Sequence, residues 1–248
     1  MLINEPEITF LNVIDSTNNY AQRLISEKKA KNGHIIIADQ QTSGKGQRNN
    51  SWQSSKGENL LMSLILFPKK LSLHHQFYLN MAIALSIVEA LSELTKLSFL
   101  IKWPNDIYYQ YKKLGGILIE NSLANNQLQT CIIGIGLNIN QTTFKPNLPN
   151  PTSLKIISGY HLQLTPIAKK IATKVFSYTH KIESGLAIQL KNKYKNYLLS
   201  LNEWQKFKAN NQSFNAKICD VNPNGQLVVE HQNGIVKTYD NGQIQFVF

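Results

Sequence analysis

The stretch from Lys102 to Glu120 has the sequence KWPNDIYYQYKKLGGILIE, and the predicted fold is built outward from it. Pro104 fixes its own φ and disfavours helical backbone in the residue before it, so Asn105 and Asp106 are expected on a defined turn. The apolar residues on both sides are typical of strands. The pattern therefore predicts a β-hairpin that carries an amide and a carboxylate at its base.

This hairpin is open to two interpretations. Cations, an amide, a carboxylate and a glycine pair lie within one short stretch, and glycine in a strand lets a ligand or another backbone approach closely. That combination favours a functional site. The alternative is a surface hairpin with a charged turn, since asparagine and aspartate are common turn residues.

The composition predicts a globular protein with a basic surface. The 248 residues suffice for a large domain and a small one, and 42% of them are apolar. The net charge of +11 would suit a nucleic acid or an acidic partner. The lysines occur in scattered pairs such as Lys28-Lys29, Lys69-Lys70 and Lys169-Lys170, so a nucleic-acid-binding stripe is not expected.

Cysteine content and the N-terminus predict the compartment. Cys131 and Cys219 are the only cysteines, which excludes a disulfide framework and fits a reducing environment with both thiols buried. The first residues, MLINEPEITF, lack the basic stretch and apolar core of a signal peptide, and no apolar run approaches membrane-spanning length. We expect a cytoplasmic protein without membrane association.

Five polar residues, Asp15 to Asn19, separate a predicted strand from a predicted helix at 20–28. Asp15, Ser16 or Thr17 would each serve as the helix N-cap. A cap needs only one of them. The remaining residues therefore indicate a site for a polar or anionic ligand, because a helix N-terminus attracts such groups.

A long polar loop, QQTSGKGQRNNSWQSSKGENL, follows the second predicted strand. Loops of this length in a compact domain are usually functional or disordered. Lys45 lies between two glycines and Arg48 follows them, so two cations lie on backbone that bends freely, as folding over a phosphate requires. The Lys-Ser/Thr ending of a Walker A loop is missing. Trp52 is either an anchor to the core or cover for an aromatic ligand.

The remaining pattern predicts alternating strands and helices. Apolar runs predict strands at 8–14, 34–39, 59–67 and 128–140. Helical spacing from Phe77 to Leu91 predicts an amphipathic helix on the sheet, Thr165-Pro166 is expected to cap and begin another, and a further helix covers 186–199. The segment GIGLNIN lacks the third glycine of a dinucleotide fingerprint, so a Rossmann fold is not predicted.

The C-terminal residues have a different pattern. From about Trp204, short β-rich segments alternate with Asn-Gly turns at 224–225, 233–234 and 241–242. Such a series is typical of a small antiparallel barrel. We therefore expect a large domain at 1–200 and a small β domain at 204–248.

Four stretches together resemble the biotin protein ligase family: Asp15-Ser16-Thr17-Asn18, QTSGKGQRNNSW, KWPNDIYYQYKKLGGILIE and GIGLNIN. They occur in the family's order and cover nearly the whole chain, and the third is the most specific. The resemblance implies an α+β fold, with a mixed β-sheet flanked by helices in a class II synthetase-like catalytic domain and a small C-terminal β-barrel.

The resemblance implies a reaction in two steps. The carboxylate of biotin attacks the α-phosphate of ATP, and a lysine of a biotin carboxyl carrier domain then attacks the resulting biotinyl-5′-adenylate. A carboxylate and a triphosphate repel each other, so the site needs cations and Mg²⁺, and it needs a closed loop that keeps water from the adenylate. ATP, biotin and Mg²⁺ are thus implied as substrates and activator, with no tightly bound prosthetic group.

The resemblance also implies roles for individual residues. Lys113, Arg48 and Asp106 are implied to be catalytic, with any Mg²⁺ near Asp106. The implied biotin-binding residues are Ser16, Thr17, Asn18, Gln41, Lys45, Gly46, Gln47, Lys113, Gly115 and Gly116. The residues implied to bind ATP or the adenylate are Lys45, Arg48, Trp52, Asn105 and Asn138, the last by recognising adenine.

The loop departs from the family's usual GRGRxGRxW pattern. Lys45 replaces the first arginine, Gln47 the second and Asn50 the third. Gln47 can donate a hydrogen bond but carries no charge. Arg48, one residue further along, is therefore expected to take over a phosphate contact.

Three further expectations concern partners and alternatives. Many bacterial members carry an N-terminal winged helix; here the first motif begins at Asp15, so a monofunctional ligase without DNA binding is expected. The basic surface is then expected to dock an acidic carrier domain. The alternatives are a lipoate ligase or octanoyltransferase of the same fold and a non-catalytic RNA- or protein-binding module.

Overall fold

The computed structural model describes residues 6–146 and 148–247, and its larger β-sheet has seven strands. These are β1 (Ile8–Ile14), β2 (Ile35–Gln41), β3 (Leu60–Leu66), β4 (Leu100–Lys102), β5 (Asp106–Tyr109), β6 (Lys112–Ala124) and β7 (Gln127–Leu137). Their order is β1-β2-β3-β7-β6-β5-β4. Only β1 and β2 are parallel, and the other neighbours are antiparallel. The predicted mixed sheet is confirmed.

The helices flank this sheet. They are α1 (Thr17–Ser26), α2 (Gln76–Thr95), α3 (Leu154–Ser158), α4 (Leu164–Glu183) and α5 (Ala187–Lys195). The prediction that α2 is amphipathic is wrong, because it packs against the sheet on one side and against α4 and α5 on the other. By length and composition, Leu73–Thr95 could cross a membrane, but 72% of its most apolar window is buried inside the protein.

Several predicted boundaries need correction. The stretch 102–120 forms two successive hairpins rather than one, because a second turn at Gln110, with φ +52°, joins β5 to β6. Helix α1 begins at Thr17 instead of residue 20, which brings the polar residues into its first turn. Helix α4 begins at Leu164 with Gln163 as its N-cap, so Thr165 does not cap it.

The C-terminal residues form a second sheet. Its strands are β8 (Trp204–Ala209), β9 (Gln212–Val221), β10 (Leu227–His231), β11 (Val236–Tyr239) and β12 (Gln245–Phe246). They are antiparallel in the order β11-β10-β9-β8-β12, which confirms a small C-terminal β domain. The boundary between 200 and 204 stays a prediction. The Nε1 of Trp103 donates a hydrogen bond of 2.9 Å to the carbonyl of Gly225, which ties the KWPND turn to this sheet.

The two cysteines are free and differ in environment. Cys131 lies in β7 with no exposed surface, and burial raises the pKa of its thiol to about 12. Cys219 in β9 is only partly buried, so the prediction of two buried thiols is wrong for it.

Candidate active site

A cleft of about 510 Å³ opens on one face of the larger sheet, between the 44–52 loop and the edge of the C-terminal sheet. It brings together most of the residues that the sequence singled out. Those that line it are Ser16, Thr17, Asn18, Gln41, Lys45, Gly46, Gln47, Arg48, Trp52, Asn105, Asp106, Lys113 and Gly116. The charged-hairpin alternative is therefore wrong for 102–120, because Asn105, Asp106 and Lys113 face a concave site.

The start of α1 supplies a buried polar wall of the cleft. Ser16, Thr17 and Asn18 are each at most 3% exposed. Ser16 is the N-cap, yet its side chain makes no cap hydrogen bond. The backbone nitrogen and hydroxyl of Thr17 instead donate to Oε1 of Gln41, at 2.7 and 3.1 Å. Side-chain capping by Ser16 thus does not explain these residues, and all three line the cleft.

Ser63 and Glu120 support this wall from outside the lining of the cleft, and sequence reasoning missed both. The Ser63 hydroxyl lies 2.8 Å from the Thr17 hydroxyl and donates to Oδ1 of Asn18 at 2.6 Å. The Asn18 amide donates to Glu120 at 2.6 Å. A single serine inside the apolar strand LLMSLIL was the available signal for Ser63, because buried hydroxyls need partners.

Glycines in β6 and β7 make room for the side chains above them. A Cβ on Gly134 would lie 2.6 Å from Oδ1 of Asn18, and one on Gly136 would lie 2.6 Å from the Trp52 indole. Gly136 pairs with Gly116 across the two strands. The Trp52 indole therefore rests on a glycine surface, and its buried Nε1 has no hydrogen-bond partner among the described residues. Trp52 both anchors the loop and faces the cleft.

The hairpin contributes a charge pair. The Lys113 ammonium lies 2.6 Å from Oδ1 of Asp106, with side-chain exposures of 30% and 18%. The two residues lie on paired strands, Asp106 on β5 and Lys113 on β6, and the register of this pair shifts between Ile107 and Tyr108. Asn105 fixes the turn, because its side-chain amide donates to the carbonyl of Ile117 at 2.7 Å.

Lys102 is a second cation of the cleft that sequence reasoning did not assign. Its ammonium lies 4.9 Å from the Phe246 ring of the C-terminal sheet and 5.7 Å from the Tyr108 ring. Burial lowers the pKa of Lys102, and the nearby Asp106 carboxylate opposes that shift. A desolvated ammonium beside aromatic rings is well suited to an anionic ligand, because water screens its charge less.

The 44–52 loop folds back on itself above the cleft. Trp52 donates its backbone N–H to Gly44 at 2.9 Å, and Gly46 donates to Asn50 at 2.7 Å. Between them, Arg48 adopts left-handed backbone with φ +55°. The Lys45 ammonium lies 3.9 Å from Glu120. Lys45 and Arg48, the two cations of the loop, both line the cleft.

Two predicted ligand contacts lie outside the lining of the cleft. The buried Asn138 donates its amide to the carbonyl of Thr152 at 3.0 Å, and its backbone bonds to Leu114 and Leu154. Gly115 faces the backbone of Gly136, where an added Cβ would lie 2.5 Å from the carbonyl oxygen. Both residues support neighbouring segments, and their contacts with a ligand stay predictions.

The cleft combines a buried polar wall with several lysine and arginine cations, on a mixed sheet flanked by helices. The pattern of the Biotin/lipoate A/B protein ligase family matches residues 10–138, and the chain belongs to that family.

The proteins and structures that are similar to this chain include biotin protein ligases. The bifunctional ligase/repressor BirA of Bacillus spizizenii is 30% identical over 236 residues, which cover 94% of this chain and 72% of that protein. The human biotin–protein ligase is 32% identical over 146 residues, 57% of this chain and 20% of that protein. The biotin protein ligase from Aquifex aeolicus in complex with biotin and ATP superimposes with a TM-score of 0.80 at 28% identity, covering 97% of this chain and 98% of that one.

Proposed function

We propose that this chain activates biotin with ATP to biotinyl-5′-adenylate and transfers the biotinyl group to a lysine of an acceptor protein. The observation that carries the proposal is one cleft that combines the buried polar wall at Ser16–Asn18 with Lys113 and the loop cations. The neutral ureido ring of biotin needs the hydrogen-bonding groups of a buried polar wall, because a buried polar group is costly without partners. The anionic carboxylate and phosphate need the cations.

The buried polar wall is suited to the ureido ring of biotin. That ring offers two N–H donors and one carbonyl acceptor. Thr17, Asn18 and Ser63 carry hydroxyl and amide groups that accept or donate within a buried setting. The apolar remainder of biotin would pack along Trp52 and the glycine surface beneath it.

In the first step, an oxygen of the biotin carboxylate bonds to the α-phosphorus and the bond from that phosphorus to pyrophosphate breaks. Lys113, Lys45 and Arg48 are proposed to hold the two anions together, because fixed cations in a dry cleft offset their repulsion. In the second step, the acceptor amine bonds to the carbonyl carbon and AMP leaves. Asp106 is proposed to take the proton that the amine loses.

The cleft fits Mg²⁺ carried in by the triphosphate. Such ions are usually held by one or two carboxylates together with substrate phosphates, and Asp106 is a carboxylate that lines the cleft. Among the described residues, no group of three metal-binding side chains occurs. The ion would neutralise phosphate charge when bound.

The proposed acceptor is an acidic carrier domain of a biotin-dependent carboxylase. The net charge of +11 supports this choice, because opposite charges speed association. Raising the salt concentration from 50 to 500 mM should increase the KM for the carrier, since salt screens exposed charges, and leave the KM for biotin almost unchanged. An unchanged carrier KM would contradict electrostatic docking.

The function is tested by pyrophosphate release with ATP and either biotin, lipoate or no acid, followed by mass spectrometry of a carrier domain. We expect release and a single biotinyl addition with biotin alone. Release with lipoate and none with biotin would instead support the lipoate ligase alternative. No acid-dependent release at all would contradict both.

A further inference from the structure

The C-terminal sheet reaches the tip of the 44–52 loop. Asn241 and Gly242, in the turn between β11 and β12, line the cleft together with Phe246. The amide Nδ2 of Asn241 donates to Oε1 of Gln47 at 2.9 Å, across 194 residues of sequence. This contact links two segments that both line the cleft.

The Arg48 guanidinium packs directly on Gly242. A Cβ on Gly242 would lie 1.1 Å from its Nη1 and 1.9 Å from its Cζ, so no side chain fits there without moving Arg48. Gly242 also has φ +83°, which favours glycine for a separate reason. The turn is itself fixed, because Gln243 donates its backbone N–H to Asp240 at 3.0 Å.

A second turn of the same sheet provides a comparison. Asn233-Gly234 has the same sequence, and Gly234 has φ +79°, close to that of Gly242. A Cβ on Gly234 would meet no atom within 4 Å. The two glycines therefore carry the same backbone strain when substituted, and only Gly242 contacts the loop.

We propose that the Asn241-Gly242 turn is a positioning element that holds the tip of the 44–52 loop closed over the cleft. The base of the loop is held by its own hydrogen bonds between Gly44 and Trp52, whereas its tip meets the C-terminal sheet. Gln47, which carries no charge, thus serves as the partner of Asn241. Gln47 gives the loop a contact with the C-terminal turn at the position of the family's second arginine, while Arg48 keeps a cation at the tip of the loop.

The consequence for the reaction rests on the proposed function. When the loop opens, water can attack the carbonyl carbon of the mixed anhydride; the bond to AMP breaks, and biotin and AMP are released with a proton. Closure by the turn suppresses this hydrolysis. A loosened loop therefore forms AMP without any acceptor protein.

The test compares Gly242→Ala and Asn241→Ala with the matched control Gly234→Ala. Without substrates, trypsin cleavage after Lys45 and Arg48 is followed by mass spectrometry, since cleavage reports local opening. We expect Asn241→Ala to be cut roughly two- to tenfold faster than wild type, the range that loss of one hydrogen bond allows. Gly242→Ala should also be cut faster than wild type, because its Cβ displaces Arg48 from the turn. The control should match wild type, and AMP formation without acceptor should rise in Asn241→Ala, which leaves the proposed phosphate-binding Arg48 unsubstituted and undisplaced.

The rate of trypsin cleavage tests whether the Asn241-Gly242 turn holds the loop, and AMP formation tests what closure does for the reaction. Equal cleavage rates in Gly242→Ala, Asn241→Ala and Gly234→Ala would overturn the proposal, whatever the activity. Faster cleavage with unchanged AMP formation in Asn241→Ala would overturn the role of closure in protecting the adenylate. If wild type makes no AMP from biotin and ATP, the proposed function fails, while the trypsin comparison still decides whether the turn holds the loop.

Discussion

Replacing Gly136 by alanine tests whether the glycine surface sets the position of Trp52. The new Cβ would lie 2.6 Å from Cε2 of Trp52 and 3.0 Å from Cδ2. Carbon atoms in contact lie about 3.6 Å apart, so the indole must move by about 1 Å. A displacement of about 1 Å in a catalytic site can lower the rate about 100-fold, which corresponds to about 2.7 kcal/mol in the activation free energy.

The assay is biotin-dependent pyrophosphate release by Gly136→Ala, with thermal unfolding to establish that the variant is folded. Gly116→Ala provides a graded comparison on the paired strand. Its Cβ would lie 3.3 Å from Asp106 and 3.9 Å from Trp52, so we expect a fall of less than about tenfold, since the displacement is only a few tenths of an ångström. A folded Gly136→Ala with near-normal activity would refute the reasoning.

Three other substitutions, one of them with a matched control, probe the cleft and the core. Lys113→Ala should slow adenylation at least about 100-fold by removing a fixed cation, whereas Lys112→Ala, exposed beside it, should remain close to wild type in the same assay. Ser63→Ala should raise the KM for biotin and lower the free energy of unfolding in urea by about 1–3 kcal/mol, because Asn18 loses a buried donor. An unchanged KM would exclude a role of Ser63 in biotin binding. Burial alone would raise the pKa of Glu89, but hydrogen bonds from Lys193 and Tyr178 hold it below its ordinary value. Its contribution to stability is therefore present above about pH 4.5 and is lost as the pH falls through the lower folded-state pKa. Glu89→Gln should flatten the acid fall in Tm, and an unaltered fall would contradict this assignment.

Local patterns in the sequence determined much of the fold and predicted most of the residues that line the cleft. Apolar runs predicted the strands, and Asn-Gly pairs predicted the turns at Gly225, Gly234 and Gly242, all of which have positive φ. These features depend on steric limits of neighbouring residues, so the sequence alone carries them. The polar residues at 15–19 and the 44–52 loop were likewise predicted to belong to a ligand site, and Ser16, Thr17, Asn18 and much of the loop line the cleft. Asp15 and Asn19 do not, since the Asp15 carboxylate accepts hydrogen bonds from Asn19 and Arg23.

The partners of those residues were decided by the tertiary structure. Ser63 meets Asn18 from 45 residues away, and Trp52 rests on Gly136. Asn138 was predicted to recognise adenine, which stays a prediction; the partner that the structure gives its amide is the carbonyl of Thr152, 14 residues away. Strand register and loop closure bring such groups together, and neither is encoded in a short window of sequence.

The stretch KWPNDIYYQYKKLGGILIE shows both parts of this division. Its sequence determined that a turn would present Asn105 and Asp106, because Pro104 restricts the backbone there. Only the folded sheet decided that Lys113 would reach Asp106, and that the partly buried Lys102 would place its ammonium against the Phe246 ring of the C-terminal sheet. The physical reason is that backbone preferences act between adjacent residues, whereas an electrostatic site depends on which distant surfaces exclude water from it.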